Sequence, residues 1–295
     1  MIRELSILIP AYNLCCVDLV RTLAGQVAAL AINYEIIVAD DGSTSIEAKT
    51  ANRAINLISC CRYWERPINV GRAAIRNALA RESRFSHLLF IDGDMTVIRP
   101  NFIEAYLRVG DNDVVDGGVK ICGDSNALRH NLRFRYEKAK EHLHTAERRQ
   151  ASPYSDFHTA NFLVRRDIMI AHGFDERFSR YGYEDVAFGK EMKRHGITIL
   201  HIDHPLGFSS LESNKEFAGK TAESLMTLVH SADELHGLSR LLDLAIRLRR
   251  LHLSAFIVAF HKLFGSSIRR NLCGNKPQLA LFNIYKTGKL FYLYK

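Results

Sequence analysis

Two acidic residues follow directly on a short and wholly apolar stretch of the chain. Residues 88–91 read LLFI and lead into Asp92, Gly93 and Asp94. A run this short and apolar predicts a strand that is buried on both faces, as in a parallel sheet. Because ligands of open α/β sheets bind outside the carboxyl ends of the strands, we expect both acids at a ligand site. Carboxylates suit Mg²⁺ or Mn²⁺, although a simple Asp-Gly turn explains the same residues.

Strands and helices alternate along the first hundred residues. The apolar patterns predict strands over residues 5–10, 35–39 and 88–91, a short strand near 57–58, and helices over 19–30, 45–56 and 72–80. Such alternation predicts an α/β fold in which the sheet is mainly parallel and the crossovers are right-handed.

A second pair of acids, Asp40 and Asp41, follows the second predicted strand. If that strand and the one before Asp92 are neighbours, both acid pairs face one cleft, which then needs a cation or opposing basic groups. Arg72 and Arg76, on the helix between the two strands, are candidates for that balance. The start of this helix at Gly71 favours a phosphate. A solvated helix face is the alternative explanation for the two arginines.

Four segments of the chain, in this order and spacing, resemble the successive motifs of family 2 glycosyltransferases of the GT-A fold. They are SILIPAYN at residues 6–13, IIVADDGS at 36–43, Asn69-Val70-Gly71 with Arg76-Asn77, and Asp92-Gly93-Asp94. The resemblance covers roughly residues 4–100 and implies a nucleotide-sugar donor, usually a uridine diphosphate (UDP) sugar.

The same resemblance implies a role for each residue on the donor side. The loop from Pro10 to Asn13 and the acid Asp41 would hold the nucleoside, and Asp92 and Asp94 would hold Mn²⁺ or Mg²⁺ and, through it, the diphosphate. The full set of implied donor-binding residues is Pro10, Tyr12, Asn13, Asp40, Asp41, Gly71, Arg72, Arg76 and Asp92.

An aromatic, glycine-containing segment ends in two further acids. Tyr181, Gly182 and Tyr183 precede Glu184 and Asp185, which open a predicted helix that stops at residue 196. Acids in the first turn of a helix are explained sufficiently by the macrodipole. The segment also resembles the acceptor half of β-galactosyltransferases and chondroitin-type polymerases. That resemblance implies that Asp185 is the general base, that Glu184 helps to hold the sugar acceptor, and that the two tyrosines replace the tryptophan and glycine more usual there.

Two histidines lie three residues apart on the strand and loop predicted over residues 197–205. Positions three apart on an extended strand point to opposite faces, so at most one of His201 and His204 is expected to reach the cleft. The related enzymes place a metal-binding histidine after this strand, which favours His204 as the third metal ligand. A satisfied surface histidine is the alternative for His204, and His201 is interpreted as structural.

The basic charge of the chain is concentrated near its end. Eleven lysines and arginines against one acid give residues 240–295 a net charge of +10, whereas the whole chain carries +8. Helical apolar spacing from about residue 235, with an apolar run at 253–260, predicts a basic amphipathic helix. Such a helix can lie on an anionic membrane surface, but it can equally pack on the catalytic domain or on a second subunit. The run is too short to span a membrane.

These observations predict one GT-A domain over residues 1–230, with a donor half at 1–100 and an acceptor half at 101–230. A basic amphipathic helical tail over 231–295 would follow. Six cysteines in no metal-binding or disulfide pattern favour reduced thiols, and the immediate start of a strand predicts no signal peptide. Acids interleaved with the arginines after residue 128 argue against nucleic-acid binding. The oligomeric state is left open.

The expected activity is metal-dependent, inverting transfer of a hexose or N-acetylhexosamine from a UDP-sugar to a hydroxyl of a saccharide or lipid-linked saccharide. It would serve cell-surface polysaccharide or glycolipid assembly on the cytoplasmic face of the inner (plasma) membrane. Two alternatives stay open: a nucleotidyltransferase that makes a nucleotide sugar, and a non-catalytic membrane-bound subunit of an assembly complex. The first would be expected to carry a glycine-rich, lysine-containing phosphate loop near its N-terminus, which the loop from Pro10 to Asn13 is not.

Overall fold

The computed structural model describes residues 2–208 and 211–294. The chain divides into two units, each of which combines separate stretches of sequence. Unit 1 consists of Met1–Lys120, Leu143–Ser179 and Phe188–Ser210, and unit 2 of Ile121–His142, Arg180–Ala187 and Leu211–Lys295. The boundary expected near residue 230 falls inside unit 2.

Unit 1 is built around a seven-stranded sheet. In chain order its strands are β1 (Glu4–Ala11), β2 (Asn33–Asp40), β3 (Cys61–Glu65), β4 (His87–Ile91), β6 (Val114–Asp116), β8 (Asn161–Arg165) and β9 (Ile199–His201). Their spatial order is β3-β2-β1-β4-β8-β6-β9. Only β8 runs antiparallel to its neighbours β4 and β6 within this sheet. The predicted α/β fold with a mainly parallel sheet is therefore confirmed.

Helices cover both faces of this sheet. They are α1 (Val17–Ala28), α2 (Ile46–Asn52), α3 (Arg72–Glu82), α4 (Phe102–Val109), α6 (Ala146–Gln150) and α7 (Arg166–Ala171). Strand β4 is therefore covered on both of its faces. Leu89 and Ile91 pack in the core layer that includes residues of α1 and α4, whereas Leu88 and Phe90 pack in the opposite layer with residues of α3 and α7. This is the two-sided burial that the run LLFI predicts.

Three short strands form a second sheet in unit 1. They are β5 (Met95–Thr96), β7 (Val119–Lys120) and β10 (Leu206–Phe208), in the order β5-β10-β7. This small sheet joins the segment that follows Asp94 to the segment that follows His204.

Unit 2 is helical. Its helices are α5 (Leu132–Lys140), α9 (Asn214–His230), α10 (Ala232–Leu235), α11 (Arg240–Arg250), α12 (Ser254–Leu272) and α13 (Leu279–Leu293). Leu132 and Phe217, from α5 and α9, share one apolar core with Leu272 and Phe282 from α12 and α13. The C-terminal helices therefore pack against earlier parts of the same unit, as one of the two interpretations of the tail expects.

One further helix, α8 (Glu184–Arg194), begins in unit 2 and continues in unit 1. It ends where predicted, at the turn before Gly196, whose φ of +67° suits a residue without a Cβ.

Three local predictions are wrong. No strand forms near residues 57–58, because residues 53–57 form a 3-10 helix. The edge strand is instead β3, which follows Cys60, a residue in the left-handed conformation (φ +59°). The apolar spacing from residue 128 to 146 also predicts one amphipathic surface helix. This helix is divided in the structure, because the Thr145 hydroxyl caps a new helix by accepting from the Arg148 amide. The continuous helix expected from 235 breaks between α11 and α12, where His252 has φ +59°.

Among the described residues no single helix is long and apolar enough to cross a membrane. Helices α11 and α12 together reach the required length and composition, but the chain bends by 116° between them.

Candidate active site

The turn after β4 carries a carboxylate that two arginines hold. Arg76 Nη2 donates to Asp92 Oδ1, and Arg72 Nη2 donates to Asp92 Oδ2 at 3.4 Å. The arginines lie one helical turn apart on α3, and Arg76 Nη1 also donates to the Arg72 carbonyl at 3.0 Å. Arg72 and Arg76 thus oppose the charge of Asp92, and their part in donor binding stays a prediction. A solvated helix face does not describe Arg76, whose side chain is 1% exposed.

Arg76 is the most deeply buried cation of this site. Its guanidinium lies 5.8 Å from the centre of the Phe174 ring, and its Nε is buried without a hydrogen-bond partner among the described residues. A buried N–H without a partner is costly, so such groups in native proteins are commonly satisfied by a ligand or by ordered water. The buried charge and the unused donor fit a site that receives an anionic ligand.

Asp41 fixes the loop that starts α3. Its two carboxylate oxygens accept hydrogen bonds from the amides of Val70 (2.9 Å) and Gly71 (3.0 Å). Burial raises the pKa of Asp41, although these two hydrogen bonds act in the opposite direction. Gly71 has φ +88°, and a Cβ there would lie 2.7 Å from the Ser179 carbonyl oxygen, so the position requires glycine.

Asn13 joins the loop after β1 to the loop after β2. Its Oδ1 accepts from the amides of Thr44 (2.8 Å) and Ser45 (2.9 Å), and its own amide donates to the Ser43 hydroxyl at 2.7 Å. Asn13 has φ +54°, which asparagine tolerates better than most residues. The Tyr12 side chain, next to it, is 46% exposed.

Asp40 and Pro10 lie in the strands rather than in the loops that follow them. Asp40 is buried, with Oδ1 accepting from the Ser43 amide (2.6 Å) and Oδ2 from the Tyr63 hydroxyl (2.7 Å). Pro10 is the penultimate residue of β1. The contacts of Asp40 are internal and support the loop at 43, so its contribution to donor binding stays a prediction.

The proposed metal ligands of unit 1 are Asp92, Asp94 and His204. Asp94 lies in the turn after β4, partly buried, close enough to Cys16 for its charge to affect that thiol. Burial, together with nearby acidic groups that include Asp94, raises the pKa of Cys16 to about 12, so the thiol stays protonated and is no thiolate ligand. Both oxygens of Asp92 already face arginines. Among the described residues, Asp92, Asp94 and His204 do not form a group whose ligating atoms all lie within 4.8 Å of one another, so the assignment of a metal to them stays a prediction.

His204 is buried beside aromatic residues of α4. Its Nε2 donates to the Phe102 carbonyl oxygen at 2.9 Å, and its ring stacks on the Phe102 ring with centroids 5.1 Å apart. This hydrogen bond assigns the proton to Nε2 and leaves the lone pair on Nδ1. Burial lowers the pKa of His204, which favours the neutral ring. A neutral histidine whose second nitrogen donates to a carbonyl is the usual form of a metal ligand, so the donor chemistry fits Mn²⁺.

The predicted acceptor residues belong to unit 2, where helix α9 holds their backbone. The Tyr181 amide donates to Glu223 Oε1 at 3.2 Å, and the Thr227 hydroxyl donates to the Tyr181 carbonyl at 3.1 Å. A Cβ on Gly182, which has φ +94°, would lie 2.8 Å from the Ser224 Cβ. The segment from Tyr181 to Asp185 is thus anchored along one face of α9.

Tyr183 has an unusual backbone conformation for a bulky residue. Its φ of +69° follows directly on the positive φ of Gly182, and strain of this kind is found preferentially at functional sites. Burial raises the pKa of Tyr183 to about 12, so its hydroxyl remains a hydrogen-bond donor. Glu184 and Asp185 then occupy the first turn of α8, Glu184 being 4% exposed.

A buried charged cluster of unit 1 was missed by the sequence interpretation. Asp116 Oδ1 lies 3.2 Å from Arg149 Nη1, and Asp116 Oδ2 lies 3.3 Å from His201 Nδ1, with all three side chains at most 2% exposed. Burial alone raises the pKa of Asp116, but His201 and the Arg149 charge outweigh it and hold that pKa below its usual value. The cluster joins the ends of β6 and β9 to α6. The sequence signal was an acid directly before Gly117 and Gly118, as at Asp92-Gly93.

Known proteins resemble the chain in sequence. The profile of the family described as "Glycosyl transferase family 2" matches residues 6–173, which is more than half of the chain. A chondroitin synthase of Escherichia coli is 24% identical over 248 residues, covering 73% of this chain and 36% of that protein. A validoxylamine A glucosyltransferase of Streptomyces hygroscopicus subsp. jinggangensis is 24% identical over 223 residues, covering 66% of this chain and 52% of that protein. The chain thus spans about a third and about half of the length of these relatives.

Solved structures share the fold at low sequence identity. A mannosyltransferase from Pyrobaculum calidifontis, in complex with GDP-mannose and Mn²⁺, superposes with a TM-score of 0.62 at 13% identity, covering 99% of this chain and 86% of that one. TarS of S. aureus, residues 1–349 with UDP, gives a TM-score of 0.50 at 15% identity, covering 99% and 89%.

Proposed function

Because the chain belongs to glycosyl transferase family 2, we propose that it moves a hexose or N-acetylhexosamine from a UDP-sugar to a saccharide hydroxyl, with inversion and with a divalent metal. The observation that carries the donor side is the arrangement of Arg76, Arg72 and Asp92 at the carboxyl end of β4. Asp41 and Asn13 hold the adjoining loops, and Arg76 keeps an unused buried N–H. This suits an anionic, phosphate-bearing donor better than a neutral one.

Each residue of the candidate donor site has a definite task in this proposal. Arg72 and Arg76 fix Asp92, and Asp41 presents the helix start at Gly71 to the donor. Asp94, Asp92 and His204 would hold the metal, which supplies positive charge against the diphosphate that leaves. Mn²⁺ is favoured over Mg²⁺ because an imidazole is among the ligands.

The acceptor side requires a base. Asp185 takes the proton of the acceptor hydroxyl while the oxygen of that hydroxyl attacks the anomeric carbon, and the bond from that carbon to the diphosphate breaks. One displacement from the opposite face converts an α-linked donor to a β-linked product. The start of α8 stabilises the ionised carboxylate that this role requires.

Donor hydrolysis tests the metal and the nucleotide together. We expect the purified protein to hydrolyse one or more UDP-sugars in Mn²⁺ and to lose this activity in excess chelator. Asp94→Ala should weaken Mn²⁺-dependent UDP binding by about tenfold or more, since even the outer partners of metal ligands contribute that much. Asp18→Ala is the control, because the Asp18 side chain is 98% exposed. Binding is measured by titration calorimetry with and without Mn²⁺.

Two results would contradict this prediction. Full transfer activity in excess chelator would remove the metal from the mechanism. Hydrolysis of GDP-mannose in place of every UDP-sugar would change the donor and leave the fold-level assignment intact.

We further propose that the C-terminal helices attach the protein to an anionic membrane, on the cytoplasmic face, where it serves polysaccharide or glycolipid assembly. Among the described residues, fifteen large apolar side chains are exposed, and eight of them lie on this part of unit 2: Leu244, Leu251, Leu253, Phe256, Leu263, Phe264, Ile284 and Tyr292. Residues 240–295 also carry the net charge of +10. Exposed apolar side chains among basic residues are typical of a helix at a membrane surface.

A cavity between the same helices supports a lipid-linked acceptor. It has a volume of about 480 Å³ and is walled by apolar side chains of α11, α12 and α13, among them Leu242, Val258 and Phe291. Arg249 and Lys262 also line it. Apolar walls with two cations suit an acyl or isoprenoid chain that bears an anionic headgroup.

Substitution of the apolar surface tests attachment better than truncation does, since removal of α12 and α13 would uncover the core around Phe217. Phe256 and Leu263, 70% and 75% exposed, lie seven residues apart on one face of α12. The double variant Phe256→Ser, Leu263→Ser should bind anionic vesicles at least about tenfold more weakly, because each side chain contributes about 1.5–3 kcal/mol when fully buried. Co-sedimentation measures this.

Leu57→Ser, at an 88% exposed apolar position of unit 1, is the matched control and should bind like the wild type. High salt should release the wild type partly and detergent more fully, because salt screens only the charge term. If the intact chain does not sediment with anionic vesicles at low salt, the attachment proposal is wrong.

A further inference from the structure

Three side chains with metal-ligating atoms converge at the end of helix α8. Glu191 Oε1 lies 2.9 Å from His195 Nε2 and 3.9 Å from His172 Nδ1, and the two imidazole centroids are 4.0 Å apart. One ligand atom from each residue lies within 4.8 Å of the other two. All three residues belong to unit 1, and none was singled out by the sequence interpretation.

Hydrogen bonds and packing hold the backbone on both sides of this cluster. Glu191 and His195 are four residues apart, so they share one face of the helix end. His172 directly follows α7, and Phe174, two residues further on, is hydrogen-bonded to Asn77, whose Oδ1 accepts from the Phe174 amide at 2.9 Å. The ring of Phe174 in turn stacks on the ring of Phe188 in α8, with the ring centroids 4.5 Å apart. The same core therefore sets the distance between α7 and α8.

The ligand chemistry selects a class of metal. Two imidazole nitrogens and one carboxylate oxygen are the ligand set of borderline transition metals such as Zn²⁺ and Ni²⁺, not of Mg²⁺. Tetrahedral ligands about 2.0–2.1 Å from a zinc ion lie about 3.4 Å from one another. The separations of 2.9 Å and 3.9 Å from Glu191 bracket that value. Small rotations of these partly exposed side chains would complete the geometry.

The position on the helix favours a cation as well. The carboxyl end of α8 carries the negative end of the macrodipole, which stabilises positive charge. Arg194 Nη1 lies 3.7 Å from the other oxygen of Glu191, but the Arg194 side chain is 74% exposed and its charge is well solvated. One coordination position beyond the three protein ligands remains for water.

We propose that His172, Glu191 and His195 bind a transition-metal ion of the Zn²⁺ class, at a second site that does not hold the donor. The bound ion would tie the end of α7 to the end of α8. Helix α8 carries Glu184 and Asp185 in its first turn, so the ion would stabilise the helix that presents the proposed base.

Titration of Zn²⁺ into the metal-free, full-length protein without donor tests the site. We expect the double variant His172→Gln, His195→Gln to lack one Zn²⁺ site per chain that the wild type has, and its melting temperature to rise less than that of the wild type on Zn²⁺ addition. Each single variant should bind at least about tenfold more weakly. Because the variants keep all six cysteines, binding at thiols cannot account for the difference.

His142→Gln, at an exposed histidine of unit 2, is the control and should bind Zn²⁺ like the wild type. Asp94→Ala should also keep this Zn²⁺ site, which separates it from the donor metal whether or not the donor proposal holds. An unchanged Zn²⁺ affinity in the double variant, or no binding by the wild type, would overturn the proposal. In that case the cluster is a hydrogen-bonded group of histidines around one carboxylate.

Discussion

Replacement of Asp185 by asparagine is expected to lower the turnover number by about a hundredfold or more while the dissociation constant of the donor stays near the wild-type value. Asparagine has nearly the shape of aspartate but cannot accept the proton of the acceptor hydroxyl. The residue lies in the first turn of α8, next to the anchored segment from Tyr181, so the backbone should not move. Steady-state kinetics with saturating donor and acceptor, together with donor titration, separate the two effects.

Asp233→Asn gives the matched control, because Asp233 is an exposed acid in the first turn of helix α10 of the same unit. The Asp233→Asn variant loses the same favourable charge at a helix start but removes no group that the proposed reaction uses, so its turnover number should be that of the wild type. If donor binding collapses in Asp185→Asn and turnover at saturation holds, Asp185 belongs to the donor site. Its role as a base would then be wrong.

The parts of the fold that the sequence predicts are those where local pattern and burial agree. The run before Asp92 is apolar at every position, as a strand covered on both faces requires. Strand β3 reads CRYWE and lies at the sheet edge, so its polar residues removed the signal and the prediction fell on residues 57–58 instead. Edge strands carry mixed sequences, and their place is decided by the partner strand rather than by their own pattern.

For the donor residues, the sequence predicts positions but not contacts. Their positions at the strand ends follow from the sequence, since strands of one direction end at one edge of the sheet. Their partners do not follow. That Asp40 accepts from Tyr63, or that Asn13 Oδ1 accepts from the amides at 44 and 45, depends on how loops far apart in sequence meet. The spacing of residues within a motif carries no information on such contacts.

In the C-terminal region, helical spacing predicts helices but not what their apolar faces contact. Leu272 and Phe282 face Leu132 and Phe217, which are more than fifty residues earlier in the chain. Phe256 and Leu263 follow the same helical spacing and remain exposed. The faces of these helices that pack in the core therefore differ from the exposed faces to which we assign membrane attachment in our proposal, and the two alternatives that the sequence left open do not exclude each other.

Asp116→Asn should lower the free energy of unfolding by about 3–5 kcal/mol, the scale observed when one partner of a buried ion pair is removed. The Arg149 charge would remain in the core without its carboxylate, although it still donates to the Asp116 and Ile202 carbonyls. Asp18→Asn is the control, since Asp18 and Arg21 form an ion pair on the surface, 98% and 64% exposed. That pair should contribute at most about 1 kcal/mol. Urea denaturation of both variants measures the difference.

The pH dependence of this difference identifies its cause. Because the folded-state pKa of Asp116 is lowered from 3.8, its charge stabilises the folded protein above the unfolded-state pKa, and that contribution is lost as pH falls through the folded-state pKa. The gap between wild type and Asp116→Asn should thus be full at neutral pH and narrow only below about pH 4. A gap that is equally large under acidic conditions would mean that shape and hydrogen bonding, not charge, make Asp116 necessary at the junction of β6, β9 and α6.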